Sequence, residues 1–170
     1  MIKKHHYFYL VIISIFLTTL LVFSPAIKND FLYWDDDQYV FKNPVIQTIT
    51  VKNIKKMVSI NIYWMPLTWF SHALDYQLYG DNPHGHHLTS ILIHAINAVL
   101  VFLFFGVLLS NKGFFKEIKE PFNKFNLIPM WLSGLITLLW ATHPMRVESV
   151  AWIAERKDVL SLLFILLTLI

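Results

Sequence analysis

The chain has 170 residues, of which 56% are hydrophobic, 16% aromatic and only 15% charged, and this composition excludes an ordinary soluble globular domain. The net charge of +3 comes from lysines spread along the chain and not from a basic stripe, so we predict no nucleic-acid partner. Cysteine is absent, which excludes disulfides and thiolate metal sites. The chain is therefore predicted to be an integral membrane protein in contact with a lipid bilayer.

The first apolar segment covers residues 7–27, close to the roughly 20 residues that cross the hydrocarbon core of a membrane. Lys3 and Lys4 precede it as the basic region of a signal peptide would. The apolar stretch is too long for a signal peptide, and residues 23–26 form a poor cleavage site. We predict an uncleaved transmembrane anchor.

A long loop at residues 28–87 separates this segment from the next. Apolar residues recur at helical spacing from Thr50 to Ile60, and again from Pro66 until Gly80. Two amphipathic helices along the membrane surface are predicted within the loop.

Three further apolar segments follow, at residues 88–109, 127–142 and 159–170. The last is about 12 residues long, too short to cross a bilayer, so we expect either the front part of a longer protein or an incomplete final helix. The predicted fold is an all-α integral membrane protein with about four transmembrane helices, the last one incomplete.

Basic residues in short loops predict the orientation. The link at residues 110–126 carries four lysines and falls on the same side as Lys3 and Lys4, which is the cytoplasmic side by the positive-inside rule. Loops 28–87 and 143–158 then face outward. Three lysines of the long loop count against this assignment: Lys52, Lys55 and Lys56. We predict a multi-pass inner (cytoplasmic) membrane protein whose acidic loops face the periplasm or exterior.

The long loop opens with three consecutive carboxylates, Asp35, Asp36 and Asp37, in an aromatic setting. Like charges side by side favour protonation or a cation partner. In an extended segment Asp35 and Asp37 project to one face and Asp36 to the other, so one aspartate can bind a cation while its neighbour accepts a proton. A solvated acidic turn, closed by Asn43-Pro44, is the alternative.

The second outer loop, residues 143–158, alternates acidic and basic residues. Pro144 suits the first turn of a helix, and helical spacing places Glu148 and Glu155 on one face with Asp158 a turn further along. This pattern fits a salt-bridged surface helix. It also fits a site for an anionic headgroup, in which a guanidinium binds phosphate and a carboxylate helps to bind a cation.

Histidines gather before and within the second span: His72, His84, His86, His87 and His94. We do not favour metal ligation, because no pair stands at the spacing of a zinc helix site and Gly85 suggests an irregular turn. His94 and Asn97 lie inside an apolar helix, where polar groups are costly. Hydrogen bonding to other helices is their predicted role.

Four motifs of this chain resemble the start of bacterial membrane proteins that carry C-terminal tetratricopeptide repeats, and are similar to the eukaryotic transmembrane and tetratricopeptide-repeat O-mannosyltransferases. The motifs are Phe31-x-x-Trp34-Asp35-Asp36-Asp37-x-Tyr39-Val40-x-x-Asn43-Pro44, Tyr63-Trp64-Met65-Pro66-Leu67-Thr68, Asp75-Tyr76-x-Leu78-Tyr79-Gly80-x-Asn82-Pro83-x-Gly85-x-His87-Leu88, and residues 143–158. The resemblance covers nearly the whole chain.

The resemblance implies a partial GT-C glycosyltransferase fold and transfer of a hexose from a polyprenyl-phosphate donor to a hydroxyl acceptor, a protein Ser or Thr. It implies that Asp35 and Asp36 hold the catalytic base, with Asp37 as a neighbour. Arg146 or Arg156 would stabilise the departing phosphate, and Glu148 or Asp158 would help to bind a divalent cation, Mg²⁺ or Mn²⁺, if one is used. The remaining charged residues of the last motif are His143, Glu155 and Lys157.

Departures from the family matter as well. A full GT-C core has many more helices, and the repeat domain is absent from these 170 residues, so we expect the chain to be inactive on its own. Two alternatives stay open: an inactive membrane scaffold or assembly protein, and a transporter subunit in which His94 and Asn97 line a pathway. The concentration of polar residues in the outer loops disfavours the transporter.

Overall fold

The computed structural model describes residues 2–59, 64–109 and 127–170, and every regular element in these ranges is helical. The α-helices are α1 (Ile2–Phe23), α2 (Val51–Ser59), α3 (Pro66–Tyr79), α4 (Pro83–Leu109), α5 (Leu127–Ala141), α6 (Arg146–Ala151) and α7 (Arg156–Leu169). Short 3-10 helices lie at Ser24–Lys28 and Ile153–Glu155, and a π-helical turn lies at Asp37–Phe41. The all-α prediction is confirmed, while the predicted cytoplasmic link at 110–126 lies outside the described residues.

Two helices of the described ranges are long and apolar enough to cross a membrane, His6–Lys28 and Pro83–Leu109. The helix α5 is apolar over Ile128–Ala141 but shorter, and α7 has 14 residues. Both fall below the roughly 20 residues of a straight span. The predicted count of four spans therefore stays a prediction.

The helix α4 is the centre of the structure and packs against α1, α5 and α7. The C-terminal half of α4 packs with α1 and α5 in a cluster of buried residues that includes Phe8, Ile15, Ala98, Phe102 and Met130. Its polar residues bond across helices, since His94 Nε2 lies 2.9 Å from the Ala141 carbonyl oxygen and Asn97 Nδ2 donates to the Val159 carbonyl at 2.7 Å. The predicted helix-to-helix hydrogen bonds of His94 and Asn97 are confirmed.

The long loop has a hydrophobic core of its own. Both predicted amphipathic helices are present as α2 and α3, although their position along a membrane surface stays a prediction. Apolar residues from the π-helical turn, the loop after it, both helices and the 3-10 helix before α7 are buried together: Val40, Ile46, Met57, Trp69, Ala73 and Ile153. This core fixes the acidic turn against α3 and against the segment that leads into α7.

The turn from α3 to α4 is tight. Gly80 ends α3 with φ +58°, a left-handed conformation that favours glycine, and Asn82 Oδ1 accepts the His84 N–H at 3.1 Å at the start of α4. The predicted irregular turn at Gly85 is wrong, because α4 already begins at Pro83. A side-chain carbon at Gly85 would overlap the ring of Tyr79, so glycine is needed there for packing.

The predicted continuous helix through the second outer loop is also wrong. The helix α6 ends at Ala151, and Trp152 has extended backbone with φ −91° and ψ 118° before the 3-10 helix and α7. Glu148 and Glu155 therefore do not share a helical face. Tertiary contacts of Ala154 with Asp36 and of Arg156 with Asp75 outweigh the local helical preference of this segment.

Candidate functional site

The acidic turn is organised around Asp36, which is fully buried. Its Oδ2 accepts the Leu32 N–H at 2.9 Å, and its Oδ1 accepts the Ala154 N–H at 2.8 Å. Burial raises the pKa of the Asp36 carboxyl above its ordinary value, while the two backbone N–H groups oppose that shift. Asp36 thus joins the acidic turn to the segment between α6 and α7.

The three acids do not lie in an extended segment, as predicted. The N–H groups of Gln38 and Tyr39 both donate to the Asp35 carbonyl, at 3.0 and 2.9 Å, and the chain continues as a π-helical turn from Asp37. A helical turn satisfies the backbone groups of this segment locally, since no strand pairs with it in the described ranges. The predicted extended geometry, with Asp35 and Asp37 on one face and Asp36 on the other, is therefore wrong.

Asp35 and Asp37 differ in their contacts. Asp37 Oδ2 accepts Lys42 Nζ at 3.1 Å in an ion pair whose lysine is exposed. Asp35 is half-buried, and no residue in the described part of the chain donates to its carboxylate. Of the three acids, Asp35 has the carboxylate that is available to an incoming group.

Arg156 lies in the interior with no exposed surface. Its Nη1 lies 2.6 Å from Asp75 Oδ2, its Nη2 donates to the His86 carbonyl at 2.7 Å, and its Nε donates to Ser90 Oγ at 3.1 Å. The guanidinium thus binds α7 to α3 and α4. This arrangement leaves no face of Arg156 open to a substrate.

Arg146 lies in a different environment, at a cavity of about 290 Å³ between α4, α5, α6 and α7, which we call the arginine cavity. Its guanidinium stands 5.5 Å from the centre of the Trp140 ring, and its Nε is buried without a hydrogen-bond partner in the described structure. Asp158 also lines the cavity, where its Oδ2 accepts Ser149 Oγ at 3.0 Å. Two residues to which the family resemblance gives phosphate and cation binding, Arg146 and Asp158, therefore line the same cavity.

Glu148 lies elsewhere, on a second cavity of about 690 Å³ that Asp30, His87 and Trp152 also line. Glu148 and Asp158 therefore do not line one cavity, and the described residues contain no group of three acidic or histidine side chains able to hold a metal ion. A cation site at Glu148 or Asp158 stays a prediction.

The other residues of the last motif make local contacts. Glu155 pairs with Lys157, two residues along the chain. His143 is exposed, and its Nδ1 accepts the Met145 N–H at 3.2 Å. Neither contact joins them to the acidic turn or to the arginine cavity.

The buried partners of Arg156 are not among the site residues predicted from the sequence. Asp75 accepts Thr89 Oγ1 at 2.8 Å in addition to Arg156, and the Nδ1 of the buried His86 stands 3.6 Å from the same carboxylate. A signal was present, because Thr68, His72 and Asp75 recur at helical spacing and form one polar face of α3. That face is buried and not solvated.

Comparison with known proteins gives the relationship of the chain. It is 30% identical over 167 residues to the protein O-mannosyl-transferase TMTC4 of Mus musculus, a match that covers 88% of this chain and 21% of that protein. This chain is homologous to the TMTC protein O-mannosyl-transferases. The protein O-mannosyl-transferase F38B6.6 of Caenorhabditis elegans is 26% identical over 95% of this chain and 22% of its own length. Human TMTC2 is 32% identical over 63% of this chain and 11% of its own length.

The similarity extends along nearly the whole chain, but the chain spans only about a fifth of the length of the first two relatives. No family profile matches the chain. No solved structure matches it either. The relationship to O-mannosyl-transferases therefore rests on these sequence similarities.

Proposed function

We propose that this chain forms the acidic-loop part of a membrane glycosyltransferase that transfers a hexose from a polyprenyl-phosphate donor to a Ser or Thr hydroxyl of a protein. The observation that carries this proposal is the 30% identity to a protein O-mannosyl-transferase over 88% of the chain. The two long apolar helices support a membrane location, with the acidic turn in the predicted outward loop. The GT-C architecture and the inner-membrane topology are parts of the same proposal.

Asp35 is the proposed general base. Its carboxylate accepts the proton of the acceptor hydroxyl while that oxygen bonds to the anomeric carbon, and the bond from this carbon to the lipid phosphate breaks with inversion. Asp36 has both carboxylate oxygens engaged by backbone N–H groups, so its part is to hold the turn on which Asp35 sits.

Arg146 is the proposed ligand of the donor phosphate. Its Nε is an unpartnered buried donor in the described structure, and the arginine cavity combines this cation with the apolar side chains of Leu162 and Ile165. A guanidinium binds phosphate oxygens in bidentate geometry and stabilises the charge of a leaving phosphate. Arg156 is engaged by Asp75 and takes no part in this proposal.

The test is sugar transfer by the product of the complete gene in isolated membranes, with radiolabelled polyprenyl-phosphate mannose as donor and a Ser/Thr-rich protein as acceptor. Asp35→Asn removes the proton acceptor and is expected to lower transfer about 10² to 10⁴-fold. Asp37→Asn is the matched control, since it changes a neighbouring acid of the same turn whose carboxylate is already paired with Lys42. No transfer by the unsubstituted protein would refute the function, and full transfer by Asp35→Asn would refute the assignment of the base.

The scaffold alternative has one specific observation in its favour. Both carboxylate oxygens of Asp36 accept hydrogen bonds from backbone N–H groups, which is typical of an acid with a structural role. Under that alternative, membranes carrying the protein show no donor-dependent labelling, and substitution of Asp36 affects only folding.

A further inference from the structure

The segment from the end of α6 to the first residue of α7, residues 152–156, links the acidic turn to the interior of the helical bundle. We call it the junction. Its backbone is extended at Trp152 and then forms a single 3-10 turn, so few of its own hydrogen bonds maintain its shape. Contacts from outside the junction must therefore determine its position.

One anchor of the junction is Arg156. Its three nitrogens reach Asp75 on α3 and both Ser90 and the His86 carbonyl on α4, and the guanidinium has no exposed surface. Asp75 is itself oriented by Thr89, which donates to its other oxygen at 2.8 Å. A planar guanidinium can serve three acceptors in fixed directions, which a lysine ammonium cannot reproduce from the same backbone position.

The other anchor is Asp36. The Ala154 N–H, two residues before Arg156, donates to Asp36 Oδ1 at 2.8 Å, and the Leu32 N–H occupies Oδ2 of the same carboxylate. Ile153, the residue before Ala154, is fully buried in the core that also contains Val40 of the π-helical turn. The contact with Asp36 and the contact with Asp75 are therefore made by residues only two positions apart, Ala154 and Arg156.

We propose that Asp75 and Arg156 are positioning residues: through the junction and Asp36, this buried ion pair holds the acidic turn in the geometry that presents Asp35. The effect on transfer rests on the proposed function, whereas the mechanical link does not. Arg156 touches no reacting group and acts only through Ala154 and Asp36.

The link is tested by hydrogen exchange of the Leu32 and Ala154 amides in the detergent-solubilised protein. Ser90→Ala removes the hydrogen bond from Arg156 Nε without leaving an unpaired charge. Arg156→Lys keeps the positive charge but loses the planar set of guanidinium donors. Both variants are expected to speed exchange at both amides on the order of fivefold, the effect of one weakened hydrogen bond. Ser133→Ala is the matched control, because Ser133 is also fully buried but bonds only within α5.

Transfer kinetics supply the second readout. Ser90→Ala is expected to lower kcat by a similar factor, since the acidic turn that presents Asp35 is displaced. The KM for the donor is a weaker readout, because Asp158 of the arginine cavity also lies two residues from Arg156. Exchange at Leu32 and Ala154 that stays at the unsubstituted rate in both folded variants would overturn the link. If the unsubstituted protein shows no transfer, the proposed function fails while the exchange measurement still decides the link.

Discussion

At the scale of single residues, the same residue type has different roles according to its surroundings. Arg146 and Arg156 belong to one motif, yet Arg156 is fully buried against Asp75 while Arg146 lines a cavity beside Trp140. The sequence shows two guanidinium groups of equal chemistry. Only the packing of α3 and α4 around one of them assigns a structural role to it.

Gly85 gives a direct test of packing between α3 and α4. Gly85→Ala is expected to lower the free energy of unfolding by about 1 to 3 kcal/mol, because the added methyl overlaps the Tyr79 ring. Gly134→Ala is the control, as its added carbon would lie 3.4 Å from Val11, an ordinary contact. Thermal unfolding in detergent measures both. Equal stability of the two variants would show that Tyr79 moves aside freely.

His72 predicts a pH dependence of stability. Burial lowers the pKa of His72 well below its ordinary 6.5, with the charges of Arg156 and His86 adding to the shift, and the nearby carboxylate of Asp75 is paired to Arg156. The unfolded chain therefore binds a proton as pH falls through about 6.5 while the folded chain does not. This contribution to stability is fully present above that pH and is lost on acidification.

The measurement is the unfolding midpoint of the unsubstituted protein and of His72→Gln between pH 8 and pH 5. Below the pKa of His72 in the unfolded chain, this residue is expected to lower the free energy of unfolding by up to about 1.4 kcal/mol per pH unit. The stability of His72→Gln is therefore expected to fall less steeply with decreasing pH than that of the unsubstituted protein. Parallel profiles would mean that His72 does not contribute.

At the scale of elements, the long apolar helices and both amphipathic helices of the first outer loop were predictable from periodicity, since their patterns are long and local. The break at Trp152 was not. The segment from Pro144 to Asp158 has a helical pattern, and its interruption depends on Asp36 and Asp75, which are distant in sequence. Contacts over such separations leave no local pattern to recognise.

Asn97 tests the attachment of α7 to α4. Asn97→Ala removes the hydrogen bond to the Val159 carbonyl and is expected to destabilise the fold by about 1 kcal/mol. Ile96→Ala is its control on the same helix, where the side chain is 44% exposed. A smaller loss for Asn97→Ala than for Ile96→Ala in unfolding measurements would contradict this account of the contact.

At the scale of the whole molecule, the absence of cysteine makes the predicted topology directly testable. Tyr33→Cys, at a residue 83% exposed beside the acidic turn, is expected to react in intact cells with a maleimide that cannot cross the inner membrane. Leu21→Cys is the control, since this exposed residue of α1 is expected to face lipid. Labelling of Tyr33→Cys only after the membrane is opened would reverse the orientation.

The sequence by itself determined the apolar composition, the helical class, most helix positions and the motifs that relate the chain to O-mannosyl-transferases, because each of these lies in local patterns or in residue identity. The tertiary structure decided which members of those motifs are engaged by neighbouring residues. It buried Asp36 and Arg156 and left the Asp35 carboxylate and Arg146 available in the described ranges. The physical reason is that hydrogen bonds and ion pairs with surrounding groups determine whether a charged side chain can bind another group. For Asp36 and Arg156 these groups include residues of α3, α4 and the junction.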